Sequence, residues 1–385
     1  MAEREPNQSL LRAAARLARD RATPFYLFDP VQARDRAQEW ARHRDESGRP
    51  EVFYPWKCNR HSALLEILVR EGLGAEVTSS GDLAGALAAG LPGDRIVFQG
   101  PAKDAASLDR ALAAGVRLVA DSPEDAGAIL SRGRALGIVP RYLLRLRAGG
   151  CQTEQREFGM PARALVATAR SGAKERRPAP EGLAFHLGTG LTSPAPYRRA
   201  IREAAGIARH LAALGMKVST LDVGGGFPAH REARRDVRGR VQKAPSLSSF
   251  LRALVAEAAD RFPGVRLLAE PGRALASDAF HLVTRVVRVR GRRVYVDGSR
   301  MSHALFVPRG KHLFRPLPFR GSRARRSEIA GPLPVGLDVL AKSEAVGQPR
   351  EGDLLLIESV GAYNLIASNA WAGEAEVVEM STPST

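Results

Sequence analysis

Cys58 and Cys151 are the only two cysteines in the chain. So low a count excludes a disulfide scaffold and a cysteine-rich zinc site, so no metal centre is expected and a reducing, cytoplasmic setting is. Aromatic residues make up only 6%, too few to interleave with basic side chains into a base-stacking surface. No apolar run approaches the roughly 18 residues that a membrane span needs, so no membrane association is expected. The amino-terminal stretch is charged from its third residue, and no secretory signal is expected there. Acidic residues are the remaining shortage: 41 Asp+Glu stand against 58 Lys+Arg, a formal net charge of +17. What the chain does have is 44% hydrophobic residues among 385, enough to bury a core. That excludes disorder and suggests about two domains.

The basic surplus is scattered over short runs at Lys174–Arg177, Arg231–Arg240, Arg285–Arg293 and Arg315–Arg326. No helix-turn-helix or zinc-finger spacing accompanies them, so no nucleic acid partner is expected. Solvated arginine-rich loops account for the pattern. A docking surface for an acidic protein is the more specific alternative, since net charge reports on association rather than fold.

From Val52 to Ala269 short apolar runs alternate with amphipathic ones. The strand-like runs are Val52–Tyr54, Ala75–Val77, Ile96–Phe98, Val116–Ala120, Arg141–Leu146, Gly182–Phe185, Val218–Val223 and Val265–Ala269. Helix-period segments between them include His61–Glu71, Asp104–Ala114, Pro123–Leu136, Met160–Ser171, Pro194–Leu214 and Ser246–Phe262. About eight βα units in this length predict an α/β TIM barrel, with an open doubly wound sheet as the alternative. After Arg273 the strand-like runs Leu282–Val289, Val294–Asp297, Asp353–Ile357 and Ala375–Glu379 predict a C-terminal antiparallel β domain. The expected boundaries are residues 1–30 for a segment joining the β domain, 31–272 for the barrel and 273–385 for the β domain. Pro24–Phe28 is the apolar run able to pair with the later strands.

Barrel chemistry sits at the carboxyl ends of strands, and polar motifs occupy those places. The first strand ends in Tyr54-Pro55-Trp56-Lys57-Cys58-Asn59. A lysine there can attack a carbonyl carbon, although a snorkelling surface lysine has the same local signature. The sixth ends in His186-Leu187-Gly188-Thr189-Gly190. The seventh ends in Asp222-Val223-Gly224-Gly225-Gly226, a glycine run whose backbone N–H groups can cradle a phosphate. Pro228 and the charged residues after it do not open the helix that a dinucleotide fingerprint requires. The eighth ends in Glu270-Pro271-Gly272-Arg273, an acid able to keep a ring nitrogen protonated beside a Gly-Arg pair suited to phosphate. Gly361-Ala362-Tyr363 adds a late phenol. Taken in order, the motifs describe a cofactor with an aldehyde, a ring nitrogen and a phosphate, which is pyridoxal 5′-phosphate.

From about Phe25 to Gly373 the chain resembles the pyridoxal-phosphate-dependent group IV amino-acid decarboxylases, which act on diaminopimelate, ornithine, arginine or carboxynorspermidine. The resemblance implies a fold type III enzyme of the alanine-racemase type, working as a homodimer with shared active sites. It implies that Lys57 is the Schiff-base lysine and that Glu76-Val77-Thr78-Ser79-Ser80-Gly81-Asp82 is a cofactor-side segment. His186 matches the histidine on the ring face, and Glu270 the partner of the ring nitrogen. Thr189, Gly224, Gly225, Gly226, Gly272, Arg273 and Tyr363 match the phosphate side.

The departures fall in one motif. The family carries a cysteine and then an acid between a Gly-Pro and a later Asp. Here Gly331-Pro332-Leu333-Pro334-Val335-Gly336-Leu337-Asp338 puts proline and valine at those places. In the family that cysteine comes from the partner subunit and returns a proton to Cα, so Lys57, His303 or water must do so here. An approximate match puts Arg309 where enzymes for basic substrates carry an Asp. The expected reaction is decarboxylation of an anionic, acylated or carrier-protein-bound amino acid in a specialised natural-product or siderophore pathway, with Arg309, Asp338 and His303 as candidate substrate-side residues. A racemase on the same fold and an inactive regulatory homologue are the alternatives.

Overall fold

The computed structural model describes residues 8–42, 50–229, 233–235, 241–243, 245–306, 312–318, 320, 325–367, 369 and 371–380. In chain order the strands that build it are β1 (Phe25–Phe28), β2 (Glu51–Pro55), β3 (Gly74–Val77), β4 (Ile96–Phe98), β5 (Arg117–Ala120), β6 (Tyr142–Leu146), β7 (Gly182–Phe185) and β8 (Thr220–Asp222). They continue with β9 (Ala233–Arg235), β10 (Val241–Lys243), β11 (Arg266–Ala269), β12 (Phe280–Arg290), β13 (Arg293–Val296) and β14 (Phe314–Leu317). The last four are β15 (Ser327–Ala330), β16 (Val339–Glu344), β17 (Leu354–Ile357) and β18 (Val377–Glu379). The chain divides into two compact units. One comprises Arg36–Lys57 and Leu65–Ala274, the other Met1–Asp35, Cys58–Leu64 and Leu275–Thr385.

The first unit is a closed parallel barrel in the order β11-β2-β3-β4-β5-β6-β7-β8. It closes where β11 pairs with β8 through Leu268 and Asp222, and with β2 through Ala269 and Val52. Helices cover a parallel barrel from outside while side chains fill it, so both faces of each strand are buried and the strands read as continuous apolar runs. Phe53, Val97, Val119, Leu143, Ala184 and Leu268 form one interior cluster, drawn from six of the eight strands. Gly182 allows the close approach of β7 and β8, because a Cβ there would lie 1.8 Å from the Thr220 carbonyl oxygen.

Caps fix where the helices begin. Asp104 accepts the Ser107 N–H at 2.7 Å at the start of helix Ala105–Ala113, and Ser122 accepts the Asp125 N–H ahead of Pro123–Leu136. The helix Ser80–Ala88 carries no clear apolar period, and Gly81 and Gly85 lower its propensity. It forms because Ser79 caps it, and Gly85 leaves room for the Trp56 ring, 2.8 Å from where its Cβ would stand.

The second unit is an eight-stranded sheet. β1 runs antiparallel to β12, pairing Phe25 with Val283 and Phe28 with Phe280, and parallel to β18. Leu10, Ala13, Ala14 and Ala18 of helix Gln8–Asp20 pack against Phe25, Leu27, Val283, Leu356 and Val378. Three strands, β14, β15 and β16, lack a sequence signature. β14 contains Pro316, and β16 ends the sheet order with exposed Lys342 and Ser343. Charge and proline on edge strands protect an unpaired edge and also erase the alternation that marks a strand. The run Arg231–Arg240 lies mostly outside the described residues. Of the run Arg315–Arg326, Arg315 pairs with Glu358 at 2.8 Å and Arg320 with Asp353 at 3.1 Å.

Among the described residues no helix is long and apolar enough to cross a membrane, and no cluster of three or more His, Cys, Asp or Glu side chains is arranged to hold a metal ion.

Candidate active site

At the carboxyl ends of the barrel strands, β2 gives way to a single turn at Trp56–Cys58 that carries Lys57. Pro55 is tolerated as the last residue of β2 because the ladder to β11 has already ended at Val52. Lys57 Nζ donates to Glu76 Oε1 at 2.6 Å. The Glu76 side chain is fully buried and that of Lys57 is 41% exposed. A buried carboxylate needs a cation, and Lys57 supplies it. The lysine is therefore tethered to the site, not free over the surface.

Two more carboxyls face the same interior. Glu270 follows β11 and Asp222 ends β8, and both are buried. Gln99 Nε2 donates to Glu270 Oε1. Burial, then the neighbouring Asp222 and Glu76, push the Glu270 carboxyl well above its usual range, toward the protonated acid. Burial raises Asp222 to about 6, partly offset by the Gly224 N–H that its Oδ1 accepts at 2.8 Å.

The glycine loop wraps around His186. Gly225 N–H donates to His186 Nδ1 at 3.0 Å, which leaves the ring neutral with its other nitrogen carrying the proton. Burial, then Arg145 and Lys57, hold its pKa down to about 3. The loop has no space for side chains. A Cβ would lie 2.4 Å from the Phe185 carbonyl at Gly224, 2.6 Å from the Glu270 carbonyl at Gly225 and 2.5 Å from the Gly188 carbonyl at Gly226. Tyr197 fixes the loop from behind, donating its hydroxyl to the Gly225 carbonyl at 2.8 Å and stacking on Phe227. Thr189 is exposed, and its N–H donates to Gln152 Oε1 at 2.8 Å. Gly272 is buried and Arg273 opens a helical turn, Arg273–Ala276. Arg145, on β6, pairs with Asp121 at 2.8 Å.

Lys57, Glu76, His186, Thr189, Gly224, Gly225, Gly226, Glu270, Gly272 and Arg273 thus all belong to the barrel unit and follow or end its strands. An amine and an acid pushed toward its protonated form fit the aldehyde and the ring nitrogen of pyridoxal phosphate, while the N–H groups of Gly224 and Gly225 are already given to Asp222 and His186. Asp222, Gln99, Arg145, Gln152 and Tyr197 join the site without having been singled out as functional in the sequence. Asp222 had a readable signal, as the last strand residue before the glycines. The others reach the site only through folding.

The remaining candidates belong to the β unit. Tyr363 has φ +65°, and its N–H donates to the Cys58 carbonyl at 2.8 Å. His303 is buried. Its Nδ1 accepts the Ser299 N–H at 3.1 Å and its Nε2 lies 3.0 Å from the Gly373 carbonyl, so both ring nitrogens are engaged. Asp338 is buried and fully engaged. Oδ1 accepts from Ser299 Oγ at 2.9 Å and Arg300 N–H at 2.7 Å, and Oδ2 from Leu333 N–H at 3.0 Å. Arg309 lies outside the described residues.

Comparison with known proteins identifies the family and the fold. The diaminopimelate decarboxylase of Zymomonas mobilis is 25% identical over 385 residues, covering 94% of this chain and 88% of the relative. That of Pseudomonas aeruginosa is 27% identical over 392 residues, covering 96% and 89%. The crystal structure of diaminopimelate decarboxylase from Helicobacter pylori with L-lysine shares the fold, with a TM-score of 0.83 at 23% identity over 95% of this chain and 94% of that one. Residues 32–277 match the pyridoxal-binding domain of the pyridoxal-dependent decarboxylases. The fold is that of the fold type III pyridoxal-phosphate enzymes, and the chain belongs to the pyridoxal-dependent decarboxylase family.

Proposed function

We propose that this pyridoxal-phosphate-dependent amino-acid decarboxylase acts on a substrate whose distal end is anionic or acylated rather than a free amine. One observation carries the reading. In the segment that resembles the family's cysteine–acid motif, Pro334 and Val335 replace both groups, and the nearby Asp338 has both oxygens taken up by Ser299, Arg300 and Leu333. No carboxylate of that loop is left to pair with a cationic substrate end, and a buried ammonium without a partner is costly.

The bound cofactor supplies an electron sink that stabilises negative charge at Cα when CO₂ leaves. Lys57 Nζ holds the aldehyde end and Glu76 keeps that amine oriented. Glu270 would serve the ring nitrogen, and neutral His186 would lie beside the ring. By the resemblance, Thr189, the glycine loop at 224–226, Gly272 and Arg273 of the barrel unit would hold the phosphate. With Pro334 unable to donate and both His303 ring nitrogens engaged, Lys57 Nζ is the group that returns a proton to the substrate carbon. We also propose a cytoplasmic homodimer. A carrier-protein-bound amino acid of a specialised natural-product or siderophore pathway is one member of the proposed substrate class.

The test is a panel of amino acids incubated with the pyridoxal-phosphate-loaded protein and read by mass loss of CO₂. It contains diaminopimelate, lysine, ornithine, glutamate-type conjugates and acylated or carrier-bound amino acids. Faster turnover of the anionic or acylated members is expected. Preference for diaminopimelate, lysine or ornithine overturns the substrate proposal, and loss of optical activity without CO₂ release overturns decarboxylation.

A further inference from the structure

We infer that Asp222 and Glu270 share one proton at the barrel centre, with Asp222 the ionised member, which makes Asp222 a positioning residue for the Glu270 acid. The inference rests on the role proposed above for Glu270 and extends it to a residue with no assigned part.

The geometry begins with the backbone. β8 and β11 are neighbours, with Leu268 opposite Asp222. Beyond them Val223 N–H donates to the Leu268 carbonyl at 3.0 Å and Glu270 N–H to the Gly224 carbonyl at 2.9 Å. Two carboxyl-bearing residues are therefore held at adjacent strand ends by a continuous ladder. Asp222 is 0% exposed and Glu270 4%.

Each carboxyl has one oxygen satisfied. Asp222 Oδ1 accepts the Gly224 N–H and Glu270 Oε1 accepts from Gln99 Nε2. Asp222 Oδ2 is buried without a donor among the described residues. A buried acceptor left unpaired is costly, and two adjacent buried carboxyls do not both ionise. One proton on Glu270, donated to Asp222 Oδ2, resolves both at once.

The surroundings decide which member ionises. Asp222 faces the Gly224 N–H, Glu76 and the guanidinium of Arg117. Arg117 is fully buried, and its Nη1 and Nη2 have no hydrogen-bond partner among the described residues. Glu270 faces Asp222, Glu76 and Lys57, with burial and the two carboxylates outweighing the lysine. The pair is a coupled system whose titration belongs to both members.

Two consequences follow. After burial, Asp222 is the largest influence on the proton affinity of Glu270. Through Gly224 the same carboxylate also ties that acid to the glycine loop.

The test is infrared spectroscopy of the full chain, before and after addition of pyridoxal phosphate, on the wild type, Asp222→Asn and Glu270→Gln. The cofactor-free wild type should show a protonated-carboxyl band at neutral pH that Glu270→Gln removes. Asp222→Asn should lower the pH at which that band disappears by about one unit, a tenfold change in proton affinity. No such band in the wild type overturns the inference even if Asp222→Asn fails to fold, as does a band that survives Glu270→Gln. An unmoved midpoint in folded Asp222→Asn overturns it as well. Failure of the wild type to take up pyridoxal phosphate would sink the cofactor roles proposed above, while the infrared result on the cofactor-free chain still decides proton sharing.

Discussion

At the amino-terminal end of the barrel strands, Glu51 meets Arg266 and Arg95, and Glu181 meets Arg117 and Arg141. At the carboxyl-terminal end three buried carboxyls, Glu76, Asp222 and Glu270, stand against Lys57. Burial pushes Glu51, Glu181, Asp222 and Glu270 up. For Glu51 the Arg266 hydrogen bond together with the charges of Arg266, Arg95 and Arg117 more than reverses it, and for Glu181 the hydrogen bonds and charges of Arg141 and Arg117 do, so both acids end below their ordinary value. For Glu270 the neighbours add to burial. One end is arranged so that its charges cancel and the other so that an acid keeps its proton. Paired charge at one end supports the fold, whereas unbalanced charge at the other supports chemistry at a cost in stability.

Three substitutions test that contrast. The largest effect belongs to Lys57→Ala, which should lower CO₂ release by roughly 10²–10⁴-fold, the range of a positioned proton-transfer group. Borohydride should covalently trap pyridoxal phosphate on the wild type and not on the variant. Equal trapping would place the attachment elsewhere.

Next is Glu181→Ala, at the paired end. It leaves Arg117, fully buried, without its carboxylate, and should cost about 3 kcal/mol in denaturant unfolding while kcat of the folded protein stays within about twofold. A large fall in kcat without loss of stability would break the division between the two ends.

The smallest effect has the opposite sign. Glu270 keeps its proton in the folded chain, whereas the unfolded chain loses it above about pH 4.3. Folding therefore takes up a proton at neutral pH, and stability falls as pH rises through that window. Glu270→Gln removes this penalty and retains an oxygen for Gln99. The cofactor-free variant should be more stable than the wild type by about 1 kcal/mol, and the gain should be larger at pH 8 than at pH 5. A gain that is larger at pH 5 would contradict a protonated Glu270.

Much of the site is legible in the sequence because its parts are local. Lys57 follows an apolar strand, the three glycines follow another, and Glu270 with Arg273 follows a third. The period of the barrel strands survives because both faces are buried. β14 and β16 were not legible, since edge positions, Pro316 and exposed Lys342 and Ser343 remove the apolar pattern, and β15 is an inner strand of only four residues, Ser327–Ala330, with no long apolar run. Among site residues, Gln99 and Tyr197 carry no local mark. Gln99 reaches Glu270 across 171 residues, and Tyr197 reaches the Gly225 carbonyl from a helix 28 residues earlier. His303 and Asp338 are candidate substrate-side residues in the sequence, and the fold adds their partners: Ser299 and Gly373 for His303, and Ser299, Arg300 and Leu333 for Asp338.

The sequence by itself determined the alternation that makes a barrel and the order of amine, glycine loop and acid along it. Those are properties of neighbouring residues, and local pattern is enough to specify them. Only the tertiary structure decided that burial and neighbouring carboxylates push Glu270 up, that arginines bring Glu51 and Glu181 down, and that Asp222 stands beside the acid. Protonation depends on burial and on charges brought close from distant parts of the chain, and no spacing along a sequence encodes either.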